Sequence, residues 1–469
     1  MSKKGVLLSG TVFLVCTFTG AEAQEKSSKL SSTKSPIAQI DFASWVSESL
    51  KVSPDSKHVA YAAEVDNKYV VIVDGTEGKQ HDGIVKGTPI FSPDSNRIAY
   101  AARVANKGFV VVDGIEGKQY DAIAGDSLIF SSDSKHMAYS AQVGEKWVVV
   151  VDGKEKKYYD NIGKNSLIFS PDSKRLAYAA RVDNKWIVVV DGKDGKLYDT
   201  ISGDSLIFSP DSKHVAYAAK VGNKYVVVVD GKGGKQYDSI ATDNLIFSPD
   251  GNHVAYSAQL SNKMFVVKDE KEGKRYDGIA LNSLIFSPDS KRMAYVARLI
   301  FKQFVVVDGI EGKQYDGIGE ISLIFSPDSK HVAYSAQVGE KWVVVVDGKE
   351  KKYYDNIGKN SLIFSPDSKS VAYISQANKK WLVIMDGKEG EEYDSIMKGF
   401  PIFAPDINFV SYVARSDNKN LLVANGKKGE EYDAIITSKG GSVVFDSSNS
   451  LHYLAIKGKN ILLVKEKIN

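Results

Sequence analysis

Phe169-Ser170-Pro171-Asp172-Ser173-Lys174-Arg175-Leu176-Ala177-Tyr178 is one copy of a segment that returns along almost the whole chain. The aspartate of its Pro/Ser-Asp turn recurs at Asp55, Asp94, Asp133, Asp172, Asp211, Asp250, Asp289, Asp328, Asp367 and Asp406, every 39 residues without a slip. A period of that size, held in phase, is the signature of stacked repeats. The fold therefore follows from one unit, and any function from differences between units.

In the unit around this segment, Ser166 to Ser170 reads as a short apolar strand and Pro171 to Lys174 as a turn, with proline fixing φ and aspartate bonding nearby N–H groups. Arg175 to Val182 is a second strand, Asp183-Asn184-Lys185 a tight turn and Trp186 to Val190 a third strand. Asp191 to Gly195 is a hairpin loop into a fourth, predicted around Lys196 to Ile201. Leu176, Tyr178 and Ala180 alternate with Ala177 and Ala179, so one face of the sheet is bulky and the other small, and both are apolar. Serial sheets buried on both sides predict an all-β fold, a β-propeller in which the large face of one blade packs on the small face of its neighbour. A β-helix would use shorter coils, and a sandwich would keep one face polar.

The two ends point to ring closure. Ile40 to Trp45 aligns, 78 residues upstream, with Lys118 to Ile123, so the chain is predicted to open with a lone fourth strand. Ser442 to Lys465 forms an irregular last unit with only the first three strands, at Val443 to Phe445, Leu451 to Ile456 and Asn460 to Val464. The N-terminal strand is expected to complete that blade and cover its edge. About eleven four-stranded units exceed the four to eight blades usual in one propeller. The unbroken phase from Asp55 to Asp406 favours one large ring over two smaller ones. Ser134 to Lys174 matches Ser329 to Lys369 at every position but Met137 against Val332, which points to duplication of a five-unit block.

Of the 469 residues, 61 are basic and 58 acidic, a formal charge of +3 that supports neither nucleic acid nor an anionic membrane as partner. Residues 1–23 carry Lys3 and Lys4, an apolar run from Val6 to Phe18 and Ala21-Glu22-Ala23, the pattern of a cleaved secretory signal. Residues 24–37, rich in Ser and Lys, read as a flexible leader, and residues 38–469 as the repeat array. The single cysteine, Cys16, lies inside the signal, so the mature chain has neither disulfide nor thiol chemistry. No further run is long and apolar enough to span a membrane, and the expected location is secreted or periplasmic.

At Phe169 to Tyr178, and with His214 in place of Arg at Phe208 to Tyr217, the chain resembles the WD-like propeller repeats of the TolB type, whose relatives include the propeller domains of prolyl oligopeptidases. The likeness spans about residues 38–465 and lacks the Gly-His and Trp-Asp pairs of other WD repeats. It implies an extracytoplasmic binding scaffold. The peptidase activity is not implied, because no Gly-x-Ser-x-Gly is present.

Most candidate chemistry dissolves into the repeat. His58, His136, His214, His253 and His331 share one position with Arg97, Arg175 and Arg292, which argues for surface structure over metal binding or base catalysis. His81 and His452 are isolated. The Tyr-Asp pairs, such as Tyr120-Asp121, Tyr159-Asp160 and Tyr198-Asp199, recur too regularly for acid/base machinery, which needs unequal roles, and suggest one hydrogen bond per blade. Asp-Gly-x-x-Gly loops read as hairpins, and Trp147, Trp186, Trp342 and Trp381 as blade packing.

Two departures remain as binding candidates. Asp126, Asp204 and Asp243, with Glu48, share a position with Asn165, Asn282 and Asn360 where first strands would line the channel mouth, and could draw a cation or polar ligand; turn chemistry is the simpler account. Ile300-Phe301 replaces polar turn pairs such as Asp66-Asn67 and Asp183-Asn184, and an exposed Phe on a rim loop suits a partner anchor. No catalytic, metal or cofactor site is assigned. The sequence therefore points to a non-catalytic scaffold for a protein or extracellular ligand. The alternatives are a propeller enzyme acting on polysaccharide or peptide at the channel mouth, and a structural envelope or matrix protein.

Overall fold

The computed structural model describes residues 29–469 except 42, 47, 406–408, 439 and 469. The expected signal segment and the Asp406 turn lie outside the described residues. Eleven antiparallel sheets follow one another in chain order and close into a single ring, an eleven-bladed β-propeller. Blade 4 is representative. Its inner strand comes in two pieces, Asn161–Ile162 and Ile168–Phe169, both paired with the second strand, Leu176–Val182. The third strand is Lys185–Val190, and the outer strand is Lys193–Asp194, extended by a Trp186–Tyr198 bridge.

The outer strand is thus shorter than predicted. Thr200–Ile201, placed in it by the sequence, pairs with Lys220 and Ala219 as the inner strand of blade 5. The crossing point is set by Asp199, whose Oδ2 accepts the Gly222 N–H of blade 5 at 2.6 Å. In blade 6 the inner strand runs unbroken through Ser239–Phe247.

Blade packing follows the predicted faces. Tyr178 and Ala180 of blade 4 pack with Ala138 and Val149 of blade 3, whereas Ala177 and Ala179 pack with Val215 and Tyr217 of blade 5. Tyr159 and Tyr178 meet edge to face at 6.1 Å across the joint, a geometry that adds to area burial. Most Pro-Asp turns also span a joint: the Asp172 N–H donates to Ser212 Oγ of the next blade at 2.9 Å, while its Oδ1 accepts from Ser170 Oγ and the Lys174 N–H.

Around the circumference, lysines of one outer strand pair with acids of the next, as in Lys118–Glu155 at 2.6 Å and Lys313–Glu350 at 2.7 Å. Between blades 9 and 10 the signs exchange, with Glu391 facing Lys428 at 2.5 Å. The exchange continues at the next joint, where Glu430 of blade 10 pairs with Lys34.

Lys34 belongs to the strand Ser31–Gln39, which pairs with Asn460–Lys467 and supplies the outer strand of blade 11. Closure by the N-terminal strand is as expected, but the strand lies upstream of Ile40 to Trp45 and overlaps residues 24–37, the stretch read as a flexible leader. Trp45 instead bridges Ala63 in the second strand of blade 1. An outer strand buries little, so Ser- and Lys-rich residues suffice for it, and the register shift between Pro36 and Ala38 accommodates the proline. The ring is sealed on the blade 1 side by the Ser442 N–H donating to Ser56 Oγ at 3.0 Å and by Tyr61 Oη donating to the Gln39 carbonyl at 3.1 Å.

Candidate binding faces of the ring

Each blade presents its second-to-third turn on one face of the ring, here the lower face. Its Pro-Asp turn and Asp-Gly hairpin lie on the upper face. The lower face is organised by the Tyr-Asp pairs. The tyrosines, such as Tyr120 and Tyr159, are buried. Their aspartates each tie two blades: Asp121 Oδ2 accepts the Gly144 N–H of blade 3 at 2.7 Å while its Oδ1 accepts from Lys107 Nζ of blade 2 at 2.6 Å. These two donors hold Asp121 below the usual carboxylate range. The repeated hydrogen bond inferred from sequence is present, and it ties neighbouring blades together.

On this frame the turn of blade 7 stands apart. Ile300 is 72% and Phe301 87% exposed, and Ile300 has φ +54°. Aspartate, glycine, serine or asparagine fills this left-handed position in most other blades, as Asp66, Gly144, Asp183, Ser261 and Asn378 do. A β-branched residue there costs about 1–2 kcal/mol. The turn is held by the Ile300 N–H, which donates to Asp277 Oδ2 at 2.6 Å, and this bond with Lys263 keeps Asp277 below the usual carboxylate range.

The channel-side set does not converge. Asp126, in a 3-10 turn at Gly125–Ser127, pairs with Lys164 of the next blade at 3.4 Å, and Glu48 pairs likewise with Lys86 at 3.0 Å. Asp204 sits in the corresponding turn Gly203–Ser205 and Asp243 in the unbroken inner strand of blade 6, both exposed. Among the described residues no group of three or more His, Cys, Asp or Glu is placed to hold a metal ion.

At that same repeat position blade 8 carries Ile321, 50% exposed with φ +52°, where Asn165, Asn282 and Asn360 hold the same conformation. Leu281 of blade 7, one position earlier in the repeat, is 58% exposed. Sequence comparison passed over both, although aligning Asp126 with its copies five units on would have found Ile321. Apolar departures thus occur in blades 7 and 8, while Ile115 of blade 2 and Leu197 of blade 4 are exposed elsewhere on the ring.

On the upper face the shared His/Arg position bonds the aspartate of its own blade's Asp-Gly hairpin. His136 Nδ1 lies 2.8 Å from Asp152, and Arg175 Nε donates to Asp191 at 3.0 Å. The isolated histidines are buried: His81 against Tyr100 and Phe109, and His452 between Asp446 Oδ1 at 2.9 Å and the Asp55 carbonyl at 2.7 Å, on the ring-closing joint. Trp147, Trp186, Trp342 and Trp381 are half-buried and pack at blade joints.

No family model matches the chain. No curated protein matches it either. Among solved structures it is similar to a eukaryotic initiation factor, at 15% identity over 72% of this chain and 97% of that one with a TM-score of 0.40. It is also similar to TolB from Acinetobacter baumannii, at 15% identity over 56% and 79% with a TM-score of 0.26, and to the Dos1 propeller, at 12% identity over 80% and 90% with a TM-score of 0.30. At these scores the likenesses carry no functional inference, and the propeller assignment rests on the eleven blades themselves.

Proposed function

We propose that this protein is an extracytoplasmic β-propeller scaffold of the TolB type, which binds a protein or another extracellular ligand through the faces of its ring and performs no chemistry of its own. The observation that carries the binding assignment is the Ile300-Phe301 turn. It is exposed, apolar and strained, in a position that polar residues or glycine fill in most other blades. Local rules broken at a price in stability are characteristic of functional sites, and an exposed Phe is a typical interface anchor. Location outside the cytoplasm rests on the signal pattern of residues 1–23.

The test is a pull-down from the native extracellular or envelope fraction with the mature protein and an Ile300→Asn/Phe301→Asn variant in parallel. A partner retained by the first and lost by the second supports the scaffold and its site. Retention by both moves the site elsewhere on the ring, and turnover of a polysaccharide or peptide by the purified protein overturns the non-catalytic assignment.

A further inference from the structure

The upper face contains its own demonstration of a ligand. In blades 2, 4 and 7 the shared position is arginine, and each guanidinium crosses to the following blade in the same way. Arg175 Nη1 donates to the Ser212 and Lys213 carbonyls at 3.1 and 2.7 Å, and its guanidinium carbon stands 5.3 Å over the Phe208 ring. Arg292 repeats this with the Ser329 and Lys330 carbonyls at 3.2 and 2.8 Å and with Phe325 at 5.3 Å, and Arg97 with Ser134, Lys135 and Phe130. In blade 6, where the position is His253, Lys268 reaches over Phe286 at 5.4 Å instead. The joint is thus a built receptor for a planar cation, made of one aromatic face and two turn carbonyls.

At four joints the chain supplies the receptor without the cation. His58, His136, His214 and His331 bond the aspartate that arginine would, at 2.7, 2.8, 2.6 and 2.7 Å. Imidazole is too short to cross to the next blade. His331 lies 6.4 Å from the Phe364 ring, farther than the guanidinium carbons from theirs. Among the described residues no chain cation stands over the half-buried rings of Phe91, Phe169, Phe247 or Phe364. The last three each line a cleft that also contains the histidine and the turn residues whose counterparts accept from arginine. The cleft between blades 5 and 6, of about 310 Å³, is the most acidic of the three, with Asp230, Asp269 and Glu270 facing Lys232. Glu270 has φ +65° there, where the matching hairpin residue in other blades is glycine, as at Gly231 and Gly309.

We propose that the joints at His58, His136, His214 and His331 bind guanidinium groups, the arginine side chains of a ligand, stacked on Phe91, Phe169, Phe247 and Phe364. The ligand would occupy the place that Arg97, Arg175 and Arg292 occupy within the chain. Four such sites on one face suit a ligand carrying several arginines, whose second contact would form at high effective concentration.

The experiment is isothermal titration of the mature protein with N-acetyl-arginine amide and with its neutral isostere N-acetyl-citrulline amide. Binding of the first with a stoichiometry of four, and none of the second, is expected. His58→Arg/His136→Arg/His214→Arg/His331→Arg fills all four joints with the chain's own guanidinium, a substitution that blades 2, 4 and 7 show the fold accepts, and should abolish binding. Phe91→Leu/Phe169→Leu/Phe247→Leu/Phe364→Leu should weaken it about tenfold, the scale of a desolvated cation–π contact. Equal uptake of the citrulline compound, undiminished binding by the arginine variant, or no binding of the arginine compound overturns the proposal. A two-arginine peptide that binds more tightly than the amide identifies a peptide ligand, and equal affinity per arginine identifies a small guanidinium compound; either result supports the site.

Discussion

Lys34 of the N-terminal strand pairs with Glu430 of blade 10 in an ion pair whose signs are exchanged relative to Lys118–Glu155 and Lys313–Glu350. With Glu391–Lys428 at the preceding joint, the exchange marks the end of the array. A strand bearing lysine in the receiving position is repelled by the ordinary outer strands and accepted only by those carrying glutamate, Glu391 of blade 9 and Glu430 of blade 10; Lys428 already occupies the first, so the charge order directs the N-terminal strand to the end of the array.

Reversing one member should therefore weaken closure. Glu430→Lys and Lys34→Glu are each expected to cost about 1 kcal/mol, the upper range for exposed pairs, and the double reversal should recover most of it. A double-mutant cycle by urea denaturation checks this; additive losses would remove the keying role.

Deleting residues 1–39 removes the outer strand of blade 11 and exposes the edge Asn460–Lys467. An unpaired edge is a template for another chain. Light scattering should show concentration-dependent association of the truncated protein, with monomeric behaviour in the intact one.

Ile300→Asn relieves a left-handed β-branched residue and should raise stability by about 1 kcal/mol, measured as a shift in the urea midpoint. An unchanged or lowered midpoint would mean that the turn is not strained. Gain of stability with loss of the partner in the pull-down would show what the strain serves.

Glu466 is buried in blade 11, where Ser32 Oγ donates to its Oε2 at 2.5 Å and Tyr453 Oη to its Oε1 at 2.9 Å. Burial pushes its carboxyl above the usual glutamate range. A raised folded value means that the contribution to stability is complete below the unfolded value, about 4.3, and is lost as pH rises through the folded one. Thermal midpoints of the wild type should fall over that interval, and Glu466→Gln should flatten the fall. Identical pH profiles would assign the dependence to other groups.

Much of this was legible because it is local. The alternation at Leu176 to Ala180 gives the two faces of a blade, and the joint contacts at Tyr178 and Ala179 follow from it. The crossing at Asp199 was not legible, because its position depends on the Gly222 N–H in the next blade. The strand Ser31–Gln39 has no apolar period to read, since its pairing partner lies at the other end of the chain and its faces bury little. The exchange of His136 for Arg175 looked neutral in sequence because both bond an aspartate. The difference is reach across a joint, which only the neighbouring Phe and turn carbonyls reveal.

The packing of Tyr178 and Ala180 on Ala138 and Val149 also works as a protractor. Bulk on one side and small residues on the other turn each blade from the last by a fixed wedge, and eleven near-identical wedges sum to a full circle. Blade number is therefore written in side-chain volume at every joint. A chain shortened by whole units would keep the same pitch per joint and end as an open arc.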